Sequence, residues 1–268
     1  MYDFVAIDID DTLLDDELRI PAENKKAIHE AVNNGVMVTL ATGRMFCSAL
    51  RYARELELSL PLIVYHGALI KEAEDNKILY HNPIPADIAR EIAGYCQEND
   101  LQLNVYIDDV LYVAKENELT DYYITIANVP CEAVGDLVKF ITVSPTKLTV
   151  VVHDGERADQ VTEELKDRFA NEVTVTQSKQ RFIEMINLDV DKGKAIEILT
   201  AKFDKKLENT MAIGDSFNDI PMLEKAGLGV CVENARPQVK NIADVEVAAN
   251  NKAGVARAIE KYVLGKDF

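Results

Sequence analysis

The sequence predicts an α/β fold, a doubly wound parallel sheet interrupted by an inserted α+β domain. Three observations carry that expectation. Phe4 to Ile7 is a short apolar run that suits a strand buried on both faces of a parallel sheet. Strand-like runs then alternate with amphipathic helices on short loops, as in a sheet wound by crossover helices. The pattern breaks around Asn82-Pro83-Ile84-Pro85 and resumes near Asp191-Lys192-Gly193.

In order along the chain, the first strand runs straight into Asp8, Asp10, Asp11 and Thr12. Ile20-Pro21 then leads into a helix from about Glu23 to Asn34, with Ala27, Ile28, Ala31 and Val32 as its apolar stripe and Gly35 just past its end. A strand from Val36 to Ala41 ends at Thr42-Gly43-Arg44. A helix from Phe46 to Leu56 leads to a third strand, Leu62 to Tyr65, and the turn His66-Gly67-Ala68.

The middle of the chain reads differently. A helix from Asp87 to about Asn99 precedes two alternating runs, Leu101–Ile107 and Val110–Val113, which Asp108-Asp109 joins as a hairpin. A strand from Lys147 to Val152, a helix from Glu156 to Phe169 and a hairpin from Val173 to Ile186 follow. These give two αββ-like halves and an antiparallel sheet. The expected division is therefore residues 1–82 and 187–268 as one domain and residues 83–186 as the insertion. The first pattern returns with a helix from Asp191 to about Phe203, a buried strand Thr210 to Ile213, and Gly214-Asp215-Ser216-Phe217-Asn218-Asp219. A helix with Pro221 in its first turn and Gly227 as its stop, a strand Leu228 to Val232 and a helix Gly254 to Val263 complete the chain.

Composition narrows the partners. The 268 residues are 48% hydrophobic and 28% charged, and no segment approaches the ~20 apolar residues of a membrane span. Met1-Tyr2-Asp3 leads directly into the first strand, with no room for a signal peptide. A net charge of −17 argues against a nucleic-acid or anionic-membrane surface, though a metal ion can reverse the field inside one cleft. Cys47, Cys96, Cys131 and Cys231 are widely spaced and show no zinc pattern, so they read as thiols of a cytoplasmic protein, a monomer or homodimer.

The chemistry gathers at the carboxyl ends of the strands, where ligands of such sheets bind. Asp8 and Asp10 sit two apart on extended chain, so their carboxylates point the same way and need a cation or a shared proton. Asp215 repeats that acidic strand end, while Asp11 reads as an ordinary turn residue. Blander readings exist for the others. Thr42 is a candidate helix N-cap, Asp219 a candidate cap of the helix after it, and Lys192 a candidate surface lysine. Lys192, however, stands in a first helical turn, where a cation opposes the helix dipole and calls for an anionic neighbour. Three carboxylates around one hard cation make a Mg²⁺ site. A hydroxyl, backbone N–H groups and a lysine make a phosphate cradle. Together they indicate phosphoryl transfer.

The DxDxT run, the strand-end Thr42-Gly43-Arg44, Lys192 before its helix and Gly214-Asp215-Ser216-Phe217-Asn218-Asp219, in this order, resemble the haloacid dehalogenase superfamily. More narrowly they resemble its Cof-type phosphatases with a large α/β cap, near the YidA-like sugar phosphatases. The resemblance implies a Rossmann-like core and a cap, residues 83–186, that sets specificity. It implies a small phosphorylated metabolite as substrate, Asp8 as the nucleophile that takes the phosphoryl group and Asp10 as the acid, then the base. Thr42 and Gly43 would hold phosphoryl oxygens, and Lys192 would neutralise charge. Mg²⁺ would be held by Asp8, the backbone carbonyl of Asp10, and Asp215. Asn218 and Asp219 would support the site from nearby, Asn218 on the phosphate side and Asp219 on the metal side. The family often has Gly at Asp11 and Asn at His66, so no role for that Asn carries over. The alternatives are a hexose-phosphate mutase and a non-catalytic phosphosugar sensor. Intact Asp8 and Asp10 argue against the sensor.

Overall fold

The computed structural model describes residues 2–266, apart from the side chains of residues 178 and 179. Met1 and the last two residues, which the expected domain limits include, lie outside the described residues. In chain order the elements are β1 (Phe4–Ile7), α1 (Ala22–Asn33), β2 (Met37–Leu40), α2 (Phe46–Glu55), β3 (Leu62–Val64), β4 (Leu69–Lys71) and β5 (Ile78–His81). Next come α3 (Ala86–Glu98), β6 (Gln102–Ile107), β7 (Val110–Val113), α4 (Glu118–Ala127), β8 (Cys131–Ala133) and α5 (Leu137–Phe140). β9 (Lys147–Val151), α6 (Gly155–Phe169), β10 (Val173–Lys179) and β11 (Phe182–Asn187) follow. The chain ends with α7 (Lys192–Lys202), β12 (Thr210–Gly214), α8 (Ile220–Lys225), β13 (Leu228–Val232), α9 (Pro237–Lys240), β14 (Val245–Val247) and α10 (Gly254–Ala258).

The chain divides into two compact units, Met1–Tyr80 with Asp191–Phe268, and His81–Val190. The first is built on a five-stranded parallel sheet in the order β14-β13-β12-β1-β2. β1 lies inside the sheet between β12 and β2, and Phe4, Val5, Ala6 and Ile7 are all fully buried, as a strand covered on both faces requires. β3 does not extend this sheet as a full strand. It pairs antiparallel with β4 in a small sheet with β5, and a single parallel bridge, Ala41 to Ile63, ties it to the end of β2.

Two turns follow the chemistry of their residues. Gly35 ends α1 at φ +83°, the left-handed conformation glycine adopts without cost. Gly227, expected as a helix stop, acts through space rather than through φ. A Cβ there would lie 2.1 Å from the carbonyl oxygen of Glu208, and its N–H donates to Leu207 O.

The second unit has a six-stranded sheet in the order β10-β11-β9-β6-β7-β8, antiparallel but for the β7–β8 pair. Asp108 and Asp109 both have positive φ, which gives the β6–β7 hairpin a turn that matches strand twist. Leu103, Val105, Leu148, Val150, Ile183 and Met185 pack against α3 and α6 on one face of the sheet. No helix among the described residues is long and apolar enough to cross a membrane.

Candidate active site

Parallel register assembles the site. Ile7 lies beside Ile213 on one side and Leu40 on the other, so Asp8, Asp215 and Thr42 all follow at one edge of the sheet. Asp8 N–H donates to Ile213 O and Thr42 N–H to Ile63 O, both at 2.9 Å. Asp8 and Asp10 have extended backbone on either side of Ile9, which opens a helical turn, and the chain reverses at Asp11, whose φ is +57°. That left-handed position explains the family's frequent glycine. Asp is among the few other residues that tolerate it.

Lys192 is no surface lysine. It opens α7 behind the N-cap Asp191, whose carboxylate accepts the Lys194 N–H at 2.6 Å, and its side chain is fully buried. Its Nζ lies 2.6 Å from Asp8 Oδ1 and 2.6 Å from Asp219 Oδ1. Burial works against its charge, but Asp219 and Asp8 outweigh burial and hold its pKa above the ordinary lysine value. Gly193 makes the approach possible, because a Cβ there would lie 2.2 Å from Pro221 O in α8.

Asp219 does not cap the helix that follows it. Its Oδ2 reaches back to accept the N–H groups of Asp215, at 3.0 Å, and Ser216, at 2.9 Å. Asp215 Oδ1 in turn accepts a hydrogen bond from the Thr12 hydroxyl at 3.0 Å. Asp8, Asp215 and Asp219 each place a carboxylate oxygen within 4.8 Å of the others, all buried. Burial, followed by the charge of Asp219, pushes the Asp215 carboxyl up to about 7. Burial also raises Asp8 well above the usual range. Lys192 opposes that rise, while Asp219, Asp215 and Asp10 add to it. One lysine among three carboxylates leaves excess negative charge in a poorly solvated place. Hard oxygen donors with uncompensated charge fit a divalent cation such as Mg²⁺.

The carboxylate of Asp10 lies outside this trio. Arg44 grips it, with Nε 2.8 Å from Oδ2 and Nη2 2.7 Å from Oδ1, and sends Nη1 to Ser48 Oγ at 3.2 Å. Nothing local in the sequence marks Arg44 or Thr12 as a site residue. Their partners lie 34 and 203 residues away, and no local pattern announces such pairs.

Thr42 is fully buried and does not cap α2, whose N-cap position Met45 occupies. Its Oγ1 accepts the Arg44 N–H at 3.1 Å, and its carbonyl accepts the His66 N–H. Gly43 lies under the His66 ring. A Cβ there would stand 2.2 Å from Cε1 and 2.5 Å from Nε2. His66 Nδ1 is 3.0 Å from Asn218 Nδ2, so the ring joins the loop after β2 to the loop after β12. Asn218, expected on the phosphate side, spends its amide nitrogen on this contact.

The fold and this strand-end assembly define a hydrolase of the doubly wound α/β type. The family model of the haloacid dehalogenase-like hydrolases matches residues 5–259. The chain belongs to that family, in its Cof-like branch, and is a phosphoric monoester hydrolase. It is 33% identical to 5-amino-6-(5-phospho-D-ribitylamino)uracil phosphatase YcsE of Bacillus subtilis, over 97% of this chain and 95% of that protein. The crystal structure of TM0651 from Thermotoga maritima superposes with a TM-score of 0.88 at 33% identity, covering 100% of this chain and 99% of the other. The subclass IIB sugar phosphatase BT4131 gives 0.82 at 24% identity, over 97% and 98%, a likeness of fold alone.

Proposed function

We propose that the chain is a Mg²⁺-dependent, cytoplasmic phosphatase of small phosphomonoesters, sugar or polyol phosphates, that works through an aspartyl phosphate on Asp8. The observation that carries this reading is the contact of Lys192 with both Asp8 and Asp219 at 2.6 Å. A buried cation beside a strand-end carboxylate steadies charge on a nucleophile and on the phosphoryl oxygens it approaches. The phosphatase of a phosphorylated ribityl compound among the similar proteins supports the substrate class. The four free cysteines fit a reducing compartment.

In this mechanism an Asp8 carboxylate oxygen attacks phosphorus and the ester P–O bond breaks. Asp10 gives its proton to the departing alkoxide, so that the product leaves as an alcohol. A water then attacks the aspartyl phosphate, Asp10 takes its proton, and inorganic phosphate and the free Asp8 carboxylate result. Arg44 fixes the direction in which Asp10 presents its oxygens. Thr42 and Gly43 lie at the adjoining strand end as phosphate-binding residues. Asp8, Asp215 and Asp219, with the Asp10 carbonyl, would hold Mg²⁺, which when bound offsets phosphoryl charge. The inserted unit, in this reading, selects the organic part of the substrate.

Phosphate release from a panel of phosphorylated metabolites, assayed with Mg²⁺, tests the proposal. Asp8→Asn should lower the rate by at least about 10³, roughly 4 kcal/mol of barrier, while the protein stays folded. Activity within tenfold of wild type in purified Asp8→Asn protein would sink the assignment.

A further inference from the structure

The turn that carries Asp10 is held from far along the chain. Residues Ile9–Leu13 make a single helical turn after β1, closed by the Leu14 N–H, which donates to Ile9 O at 3.1 Å. Three later carbonyls are taken by asparagine side chains of the first unit. Asn24 of α1 donates from Nδ2 to Leu13 O at 3.1 Å and accepts the Ala256 N–H of α10 at 2.8 Å. Asn250 donates from Nδ2 to Leu14 O at 2.8 Å. Asn234, in the loop after β13, donates from Nδ2 to Asp11 O at 2.7 Å and accepts the Asn250 N–H at 2.9 Å.

Burial accounts for two of the three. Leu13, Leu14 and Asn24 are fully buried and Asn250 nearly so, and a buried carbonyl without a partner is costly. Asn234 and Asp11 are different, because both are exposed, and water would serve the Asp11 carbonyl as well as an amide does. What the Asn234 bond holds is a conformation. Asp11 has the left-handed φ of +57°, which most residues avoid, and it follows directly on Asp10. The same loop also reaches the second acidic strand end, where the Arg236 N–H donates to Asp215 O at 3.1 Å. One loop, tied to Asn250, therefore touches both the turn of Asp10 and the strand end of Asp215.

We propose that Asn234 is a positioning residue for the proton transfer made by Asp10. Arg44 holds the Asp10 carboxylate, and Asn234 holds the backbone next to it through the Asp11 carbonyl. Without Asn234 the left-handed Asp11 relaxes, and Asp10 loses the direction in which it presents its proton. The role rests on the phosphatase reading above, since Asn234 acts only through Asp10. It predicts a selective loss. A basic leaving oxygen needs a proton as its bond to phosphorus breaks, whereas a stable leaving anion departs without one.

The test uses the full chain with Mg²⁺ and two aryl esters. Phenolate is a more basic leaving group than p-nitrophenolate, so phenyl phosphate draws on the acid and p-nitrophenyl phosphate far less. The readout is kcat/KM, which covers the steps through departure of the leaving group and not the later hydrolysis. Asn234→Ala removes both bonds of the amide. Asn234→Asp keeps an acceptor for the Asn250 N–H and loses only the donor to Asp11. Thermal melts establish that each exposed-site variant is folded. In both, kcat/KM for phenyl phosphate should fall by about tenfold or more, with p-nitrophenyl phosphate within about threefold. Asn251→Ala is the control, because Asn251 donates to the Asp16 carboxylate at 2.9 Å, beyond the turn, and its loss should leave the ratio of the two esters unchanged. An equal fall on both esters, no change on either, a wild-type ratio in Asn234→Asp, or the same shift in Asn251→Ala would overturn the role alone. Absence of phosphate release from both esters by the wild type would remove the phosphatase reading, and this role with it.

Discussion

Arg44 holds the carboxylate of Asp10 with two hydrogen bonds, Nε to Oδ2 at 2.8 Å and Nη2 to Oδ1 at 2.7 Å, across the mouths of β1 and β2. The guanidinium fork matches the carboxylate in plane and direction, which one ammonium cannot do. Burial lowers the Arg44 pKa, but the Asp10 contact outweighs it, and the net value lies above the ordinary one. If Asp10 moves the proton, Arg44 sets where that proton is delivered. Arg44→Ala should lower kcat by about 10- to 100-fold, with a small change in melting temperature. Arg44→Lys should recover only part of the loss. Wild-type kcat in Arg44→Ala would show that the grip has no part in turnover.

Lys192 and Lys194 offer an internal comparison on one helix. Lys192 is fully buried between Asp8 and Asp219, whereas the backbone N–H of Lys194 serves the Asp191 cap. Lys192→Ala leaves two buried carboxylates without their cation, a change that costs about 3–5 kcal/mol where a buried pair is broken. Lys192→Met is the gentler variant. It should reduce kcat by at least about 10², while Lys194→Met changes it by less than about twofold. Similar rates for the two methionine variants would return Lys192 to a structural role.

The acidic trio makes metal binding depend on pH, with a definite sign. Burial, then the charge of Asp219, raises the Asp215 pKa from 3.8 to about 7, against the Thr12 hydrogen bond that lowers it. Asp8 moves in the same direction. Between pH 3.8 and about 7 the metal-free folded protein therefore holds a proton that the unfolded chain has released. Its stability falls as pH rises through that window. Mg²⁺ binds the ionised carboxylates, so at pH 6 it competes with protons and at pH 8 it does not. Chelated protein melted with and without Mg²⁺ should show the larger gain in melting temperature at pH 8. An equal gain at both values, or a larger one at pH 6, refutes the linkage.

What the sequence disclosed, and what it hid, follows from how local each signal is. Phe4 to Ile7 and Thr210 to Ile213 are apolar runs that end in carboxylates, and that pattern is legible in a few residues. The parallel sheet and the Cof-like family followed from it. The stretch from Glu118 to Phe140 carries no clear periodic signal. Tyr122, Tyr123, Ile124, Thr125 and Ile126 favour strands by propensity, yet α4 forms there. The clue was Asn117, whose side chain accepts the N–H groups of Leu119 and Thr120 as an N-cap. Asp219 precedes a helix as a cap would, but its carboxylate points back to Asp215 and Ser216. Long-range partnerships such as Arg44 with Asp10 leave no trace in spacing.

The pairing of Gly43 with His66 yields the last prediction. Gly43 needs no unusual φ, so its lack of a side chain is a matter of space. The His66 ring fills the volume a Cβ would occupy, with Cε1 at 2.2 Å and Nε2 at 2.5 Å. His66 is itself held at φ +59°, a conformation that costs most residues energy and asparagine less. Gly43→Ala should therefore push the ring off Gly43 and strain its contact with Asn218. Overpacking of this kind costs about 1–3 kcal/mol. His66→Asn alone should keep the turn, because Asn accepts the left-handed backbone, and it shortens the side chain that collides. The two substitutions together should be more stable than the sum of their separate effects, by about 1 kcal/mol or more of favourable coupling. Denaturant melts of the wild type, both single variants and the double variant measure that coupling. Strict additivity would show that the ring yields freely and that Gly43 is required for another reason, the approach of a phosphoryl group to its backbone. Phosphate competition against the Gly43→Ala variant would then be the measurement to make, with an unchanged inhibition constant ruling out that reason as well.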